Sequence, residues 1–137
     1  MIGSAEQALA IANTKARYCA AADKAASDPD AARAVFRTLL AVDVVTDYGF
    51  GKLDGIEAAA EFMCTTIPGN SAWMLHMLST PLIEVDGAEA VAEWAVLVHA
   101  KRRGDGRIEV VQGRYLDRFR RTPEGWRIAS VRFTQLT

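Results

Sequence analysis

His76 lies inside Ala72-Trp73-Met74-Leu75-His76-Met77-Leu78, the most apolar run of the chain. Far upstream, Asp23 interrupts an otherwise apolar helical stripe. Burying either group alone is costly, and the cost falls if the two meet. Imidazole is the side chain best suited to moving protons near neutral pH. A carboxylate that accepts from one ring nitrogen leaves the other as a base, and it stabilises the imidazolium once formed. A nearby phenol, Tyr18 or Tyr48, can donate to a carbonyl or leaving-group oxygen and offset charge developing there. Together these groups suit removal of a proton beside an activating group, with loss of water or another small leaving group from the neighbouring carbon. The plain structural alternative is a core histidine bonded to a backbone carbonyl.

The elements that must bring these residues together follow from the spacing. Ser4 is placed to cap a helix running to about Ala26, with Leu9, Ala12, Ala16, Cys19 and Asp23 recurring at intervals of three and four. Glu6, Asn13, Arg17 and Lys24 fall on its polar side. Ser27-Asp28-Pro29-Asp30 breaks it. A short second helix, roughly Asp30–Leu40, buries Val35, Phe36, Leu39 and Leu40. Val42–Tyr48 reads as a strand ended by Gly49-Phe50-Gly51, and Asp54-Gly55 leads into a third helix, about Ile56–Thr66, closed by Ile67-Pro68-Gly69-Asn70. Four long strands follow, about 72–85, 89–102, 107–121 and 126–135, separated by hairpin signals at Asp86-Gly87, Gly104-Asp105-Gly106 and Thr122-Pro123-Glu124-Gly125. Helices first and an antiparallel meander second make an α+β domain with the helices packed on one face of a curved sheet.

Composition narrows the function classes. The 137 residues are half hydrophobic, enough for one core in one domain. Sixteen Lys and Arg against seventeen Asp and Glu leave no overall field toward nucleic acid or anionic membrane. Arg114, Arg118 and Arg120 follow strand parity, with Arg121 at the end, and no stacking aromatics interleave them, so they read as a solvated outer sheet face. The two cysteines, Cys19 and Cys64, allow one disulfide or two buried thiols. No secretory leader or spanning helix is evident, and the expectation is a soluble cytoplasmic protein. The two histidines are far apart and no His-x-x-x-His or Cys-x-x-Cys spacing occurs, so no metal site is expected. Gly49-Phe50-Gly51-Lys52 lacks the length and the following Ser/Thr of a phosphate loop. No cofactor is expected.

The order of elements, with the closing phrase Gly113-Arg114-Tyr115-Leu116-Asp117-Arg118-Phe119 and Gly125-Trp126-Arg127-Ile128, resembles the SnoaL-like branch of the nuclear transport factor two-like superfamily over nearly the whole chain. The resemblance implies a cone, a strongly bent, mostly antiparallel sheet wrapped around about three N-terminal helices with a deep pocket between them. Within it, Arg17–Asp23 and Leu75-His76-Met77 are similar to the segments of the scytalone dehydratase, bile-acid dehydratase and hexachlorocyclohexane dehydrochlorinase branch that supply a catalytic aspartate and histidine. Tyr18 falls at a functional tyrosine of the bile-acid enzymes. His99 and Tyr48 fall at pocket positions of scytalone dehydratase, Tyr115 replaces a pocket asparagine, and Arg132 stands near an arginine used by other members. The implied activity is a cofactor-independent, dehydratase-like lyase acting on a hydrophobic cyclic small molecule of polyketide, steroid or aromatic origin. His76 would be base and then acid, Asp23 its orienting partner and Tyr18 the donor to substrate oxygen. Tyr48, His99, Tyr115, Asp117, Asp47, Trp73 and Arg132 would be substrate-binding residues.

Two rival readings stand beside this one. Thr46-Asp47-Tyr48-Gly49 falls where ketosteroid isomerase carries its catalytic aspartate, and Leu116-Asp117-Arg118-Phe119 resembles the segment holding its protonated aspartic acid. Strand alternation puts Tyr115, Asp117 and Phe119 on one face, so Asp117 points inward and its pKa rises unless a cation pairs with it. The other reading is a non-catalytic subunit like the β subunit of aromatic-ring dioxygenases, which a large exposed apolar sheet face would favour. A homodimer or homotrimer through sheet faces is expected in either case.

Overall fold

A computed structural model describes residues 3–136. The first helix, α1, spans Ser4–Lys24 and buries Ile11, Thr14, Lys15, Tyr18, Cys19, Ala21 and Ala22. This stripe is rotated from the one expected. Leu9 is 61% exposed and Ala16 is exposed, while a lysine is fully buried in their stead. Apolar residues on their own do not define the inner face, because Lys15 finds a buried partner described below. Ser4 is already helical, and Gly3 is the capping residue, without a side-chain cap.

The second helix, α2 (Pro29–Leu39), starts where expected. Asp28 accepts from the Ala31 N–H at 3.1 Å, and Pro29 occupies the first turn, where its missing N–H costs nothing. Phe36 and Leu39 are buried, whereas Val35 is 39% exposed. The third helix runs as α3 (Ile56–Glu61) and then widens into a π-helical turn, Phe62–Thr66. The Ile67 N–H reaches back five residues to the Phe62 carbonyl at 3.0 Å. Such widened turns cluster at functional sites, and this one carries Phe62 and Met63 toward the aromatic interior.

The sheet has six strands, β1 (Leu40–Asp47), β2 (Lys52–Asp54), β3 (Ser71–Asp86), β4 (Glu89–Arg102), β5 (Ile108–Thr122) and β6 (Gly125–Gln135), in the order β2-β1-β6-β5-β4-β3. All neighbours are antiparallel except β1 and β6, which run parallel. β2 was not anticipated; it is a three-residue return of the chain past Gly49 and Gly51, whose φ values of 99° and 103° suit glycine. The edge strand β3 slips register between Ser79 and Leu82, where Thr80 sits at φ 45° before Pro81. This bulge bends the strand, and its edge position tolerates the proline. A second close approach fixes Gly113, since a Cβ there would lie 2.4 Å from the Phe133 ring.

The core lies between the inner sheet face and α1, α2 and α3. The open cone is as expected, but its deep part is filled by packed side chains. Tyr18, Lys15, Phe36, Phe119, Ile11 and Asp117 are all essentially inaccessible. Among the described residues, surface cavities of about 340 to 740 Å³ lie on other parts of the molecule, lined by neither His76 nor Asp23. Among the described residues, no helix is long and apolar enough to cross a membrane.

Candidate functional site

His76 faces inward from β3, in register with Val98 of β4. Asp23 reaches it from the last turn of α1. The Asp23 Oδ1 accepts twice from this one residue, from the backbone N–H at 3.0 Å and from ring Nδ1 at 2.7 Å. A carboxylate can only accept, so Nδ1 is the protonated nitrogen of the neutral ring and Nε2 is left with its lone pair. The imidazole is 6% exposed and the carboxylate 21%. The pair therefore sits just inside the surface. The inner-face residues around this end, Met74, Val111, Phe133, Tyr48 and Phe62, are all half-buried, which marks the end at which the cone opens.

Tyr18 lies five residues before Asp23 on α1 and is fully buried. Its hydroxyl is hydrogen-bonded to that of Tyr48 and lies 3.9 Å from the Met63 Sδ. Tyr48 stacks on Phe62, with ring centroids 5.0 Å apart. Two hydroxyls carry two protons and their mutual bond uses one; the other goes from Tyr18 to Met63 Sδ, a weak acceptor, or, when Tyr18 donates to Tyr48, is free on Tyr48 for a third oxygen. Burial, above all, pushes both phenols well above their ordinary range, so both stay protonated donors. Cys19 and Cys64 are free buried thiols, and burial pushes Cys19 up to about 12.

The interior also holds an ionic pair that the sequence reading missed. Lys15 Nζ is 3.0 Å from Asp117 Oδ2, with both side chains wholly buried. The Trp94 indole N–H donates to the same Oδ2 at 2.8 Å. The ammonium also stands over two rings, 3.6 Å from the centroid of Tyr115 and 4.0 Å from that of Tyr18. Burial pushes the Asp117 carboxyl up, while Lys15 and Trp94 pull it down. The inward aspartate thus has its cation, and it does not present a free acid to a ligand. The clue to Lys15 lay in Ile11, Lys15, Tyr18 and Ala22, spaced four, three and four along one helical face.

Other expected binding residues lie elsewhere. Asp47 accepts from the Gly49 N–H at 2.9 Å and lines an outer-face cavity with Arg132, Leu116 and Arg118. Alternation puts Thr46, not Asp47, on the inner side of β1. His99 is also outward, between the buried Val98 and Ala100, and pairs with Leu75 and Val110. Trp73 is 42% exposed on that face. Tyr115 is inward as expected, but Lys15 covers its ring. Of the ten expected residues, His76 and Asp23 form one contact, Tyr18 and Tyr48 another, and Tyr115 and Asp117 a third around Lys15.

A family profile described as "SnoaL-like domain" matches residues 3–132. The chain is a SnoaL-like domain. Among solved structures, it is similar to a nuclear transport factor 2-like superfamily protein from Salmonella enterica serovar Typhimurium, with a TM-score of 0.88 and 26% identity over 98% of this chain and 94% of that one. It is similar to a candidate aromatic ring hydroxylase from Novosphingobium aromaticivorans, with a TM-score of 0.85 and 27% identity over 99% and 93%. It shares the fold of hexachlorocyclohexane dehydrochlorinase from Novosphingobium barchaimii, with a TM-score of 0.82 and 14% identity over 94% and 86%. No curated protein sequence matches.

Proposed function

We propose that this SnoaL-like domain is a cofactor-independent lyase that eliminates water, or a comparable small leaving group, from a hydrophobic cyclic molecule. The observation that carries the reading is the 2.7 Å contact between His76 Nδ1 and Asp23 Oδ1 at the half-exposed end of the cone. His76 Nε2 takes a proton from the carbon beside an activating carbonyl, and that C–H pair becomes the new double bond. The imidazolium then returns the proton to the departing hydroxyl, which leaves as water. Asp23 orients the ring and balances its transient charge. The spare proton of the Tyr18–Tyr48 pair hydrogen-bonds the carbonyl oxygen as negative charge builds there. The half-buried Met74, Phe62 and Phe133 suit a flat apolar ring.

The isomerase alternative loses its two aspartates, one to the outer face and one to a buried ammonium. One observation does favour the assembly-subunit reading. Trp73, Leu75, Met77, Ile108 and Val110 expose an apolar patch on the outer face of β3 and β5, each at least 36% accessible. On that reading the patch meets a further subunit, and the same patch would serve a homodimer or homotrimer.

The test is deuterium exchange and elimination across a panel of cyclic β-hydroxyketones, followed by proton NMR in D2O. His76→Ala and Asp23→Asn each lower turnover by roughly 10²- to 10⁴-fold with circular dichroism unchanged. Turnover retained in both variants rejects the acid–base role, and turnover lost only in Asp47→Asn reinstates the isomerase.

A further inference from the structure

A carboxylate in the last turn of a helix faces the negative end of the helix macrodipole, an unfavourable place for it. Asp23 is so placed, one residue from the end of α1. At that end stands Arg103, from the turn that follows β4. Its Nη2 donates to the Ala26 carbonyl at 3.3 Å, and its Nε donates to the Pro68 carbonyl at 2.9 Å. Its backbone N–H donates to the Asn70 carbonyl at 3.0 Å. Ala26 is three residues beyond Asp23, and Asn70 immediately precedes β3, which carries His76.

We infer that Arg103 is a positioning residue for the Asp23–His76 pair, a strap that ties the C-terminal end of α1 to the start of β3. One guanidinium bonds the Ala26 carbonyl, in the turn just past the helix cap, and brings positive charge to the end where Asp23 sits. Its second donor fixes the loop that launches β3. The Asp23 carboxylate and the His76 ring thereby approach from two elements whose ends are held by the same side chain. A lysine there could bring the charge but not the two-pronged geometry. The inference deepens the proposed function, because it assigns the part that keeps the orienting carboxylate on the histidine.

The chain has two histidines, and His99 on the outer face provides an internal reference. Long-range 1H–15N spectra of the full chain at neutral pH report which ring nitrogen of each carries the proton. In Arg103→Ala, the share of His76 protonated at Nδ1 falls toward the mixture of a free imidazole, and the His76 amide exchanges roughly two- to tenfold faster, the loss expected for one weakened hydrogen bond. The His99 signals stay in place. Arg127→Ala removes a comparable guanidinium bond, to the Arg37 carbonyl at 3.0 Å, and leaves both histidines unmoved. Unchanged His76 tautomer and exchange in Arg103→Ala overturns the inference, even if thermal stability drops. An equal His76 response in Arg127→Ala overturns it too. A lyase activity that proves independent of His76 would reject the proposed function without altering this readout.

Discussion

The helix α1 makes two carboxylate contacts with the sheet, and they differ in depth and in the base that meets the carboxylate. Lys15–Asp117 is wholly inaccessible, whereas Asp23–His76 lies where the inner face is half open. In the deep pair, Asp117 oxygens are engaged by an ammonium and an indole N–H, and the ammonium is walled by two rings. Nothing there can exchange a proton without leaving an uncompensated buried charge, which is expensive. In the shallow pair, the imidazole meets Asp23 through Nδ1 and keeps Nε2 uncommitted. The same class of contact is a structural clamp at depth and, in the proposed function, an acid–base device at the rim.

That contrast is broken most severely by Lys15→Met, which strands Asp117 and should cost about 3–5 kcal/mol of unfolding free energy, read from the urea midpoint. Lys15→Met combined with Asp117→Leu should recover most of that loss, since replacing both charges of a buried pair with apolar groups is often neutral. A double variant no more stable than Lys15→Met would mean that the rings and the Trp94 hydrogen bond, not charge, dominate the site. Asp23→Asn keeps an acceptor on His76 and should cost only about 1 kcal/mol by the same measurement. A loss as large as that of Lys15→Met would erase the distinction between clamp and device.

The last effect is confined to alkaline pH. The Cys19 thiol, between the two pairs on α1, is raised to about 12 mainly by burial. A raised folded-state value means that its contribution is intact below the unfolded value of 9.0 and is lost as pH climbs from there toward 12. Cys19→Ala should therefore reduce the slope of stability against pH in that window by one proton, about 1.4 kcal/mol per pH unit. An unchanged alkaline slope would show that Cys19 reaches solvent in the native state.

Local spacing made the elements legible. Hairpin signals separated the four long strands because turns at Asp86-Gly87, Gly104-Asp105-Gly106 and around Gly125 need residues that tolerate special backbone angles, and φ is indeed positive at Gly87, Gly106 and Gly125. The parity that placed Asp117 inward was sound, because side chains alternate strictly along a strand. The same alternation holds Asp47 and His99 outward in the structure, whereas the resemblance to known enzymes had assigned them to the pocket. Lys15 was missed because helical amphipathicity counts polarity and cannot see a partner more than one hundred residues away, at a separation of 102.

By itself, then, the sequence determined the α+β order of elements, the strand faces and the two residues, His76 and Asp23, whose isolation in apolar surroundings demanded a partner. Those are properties of short-range spacing and of the cost of burying charge. Only the tertiary structure decided that the two meet, that Lys15 neutralises Asp117, and that packed side chains fill the deep part of the cone. Each of these depends on side chains from distant segments sharing one volume, and a linear pattern carries no information about how that volume is filled.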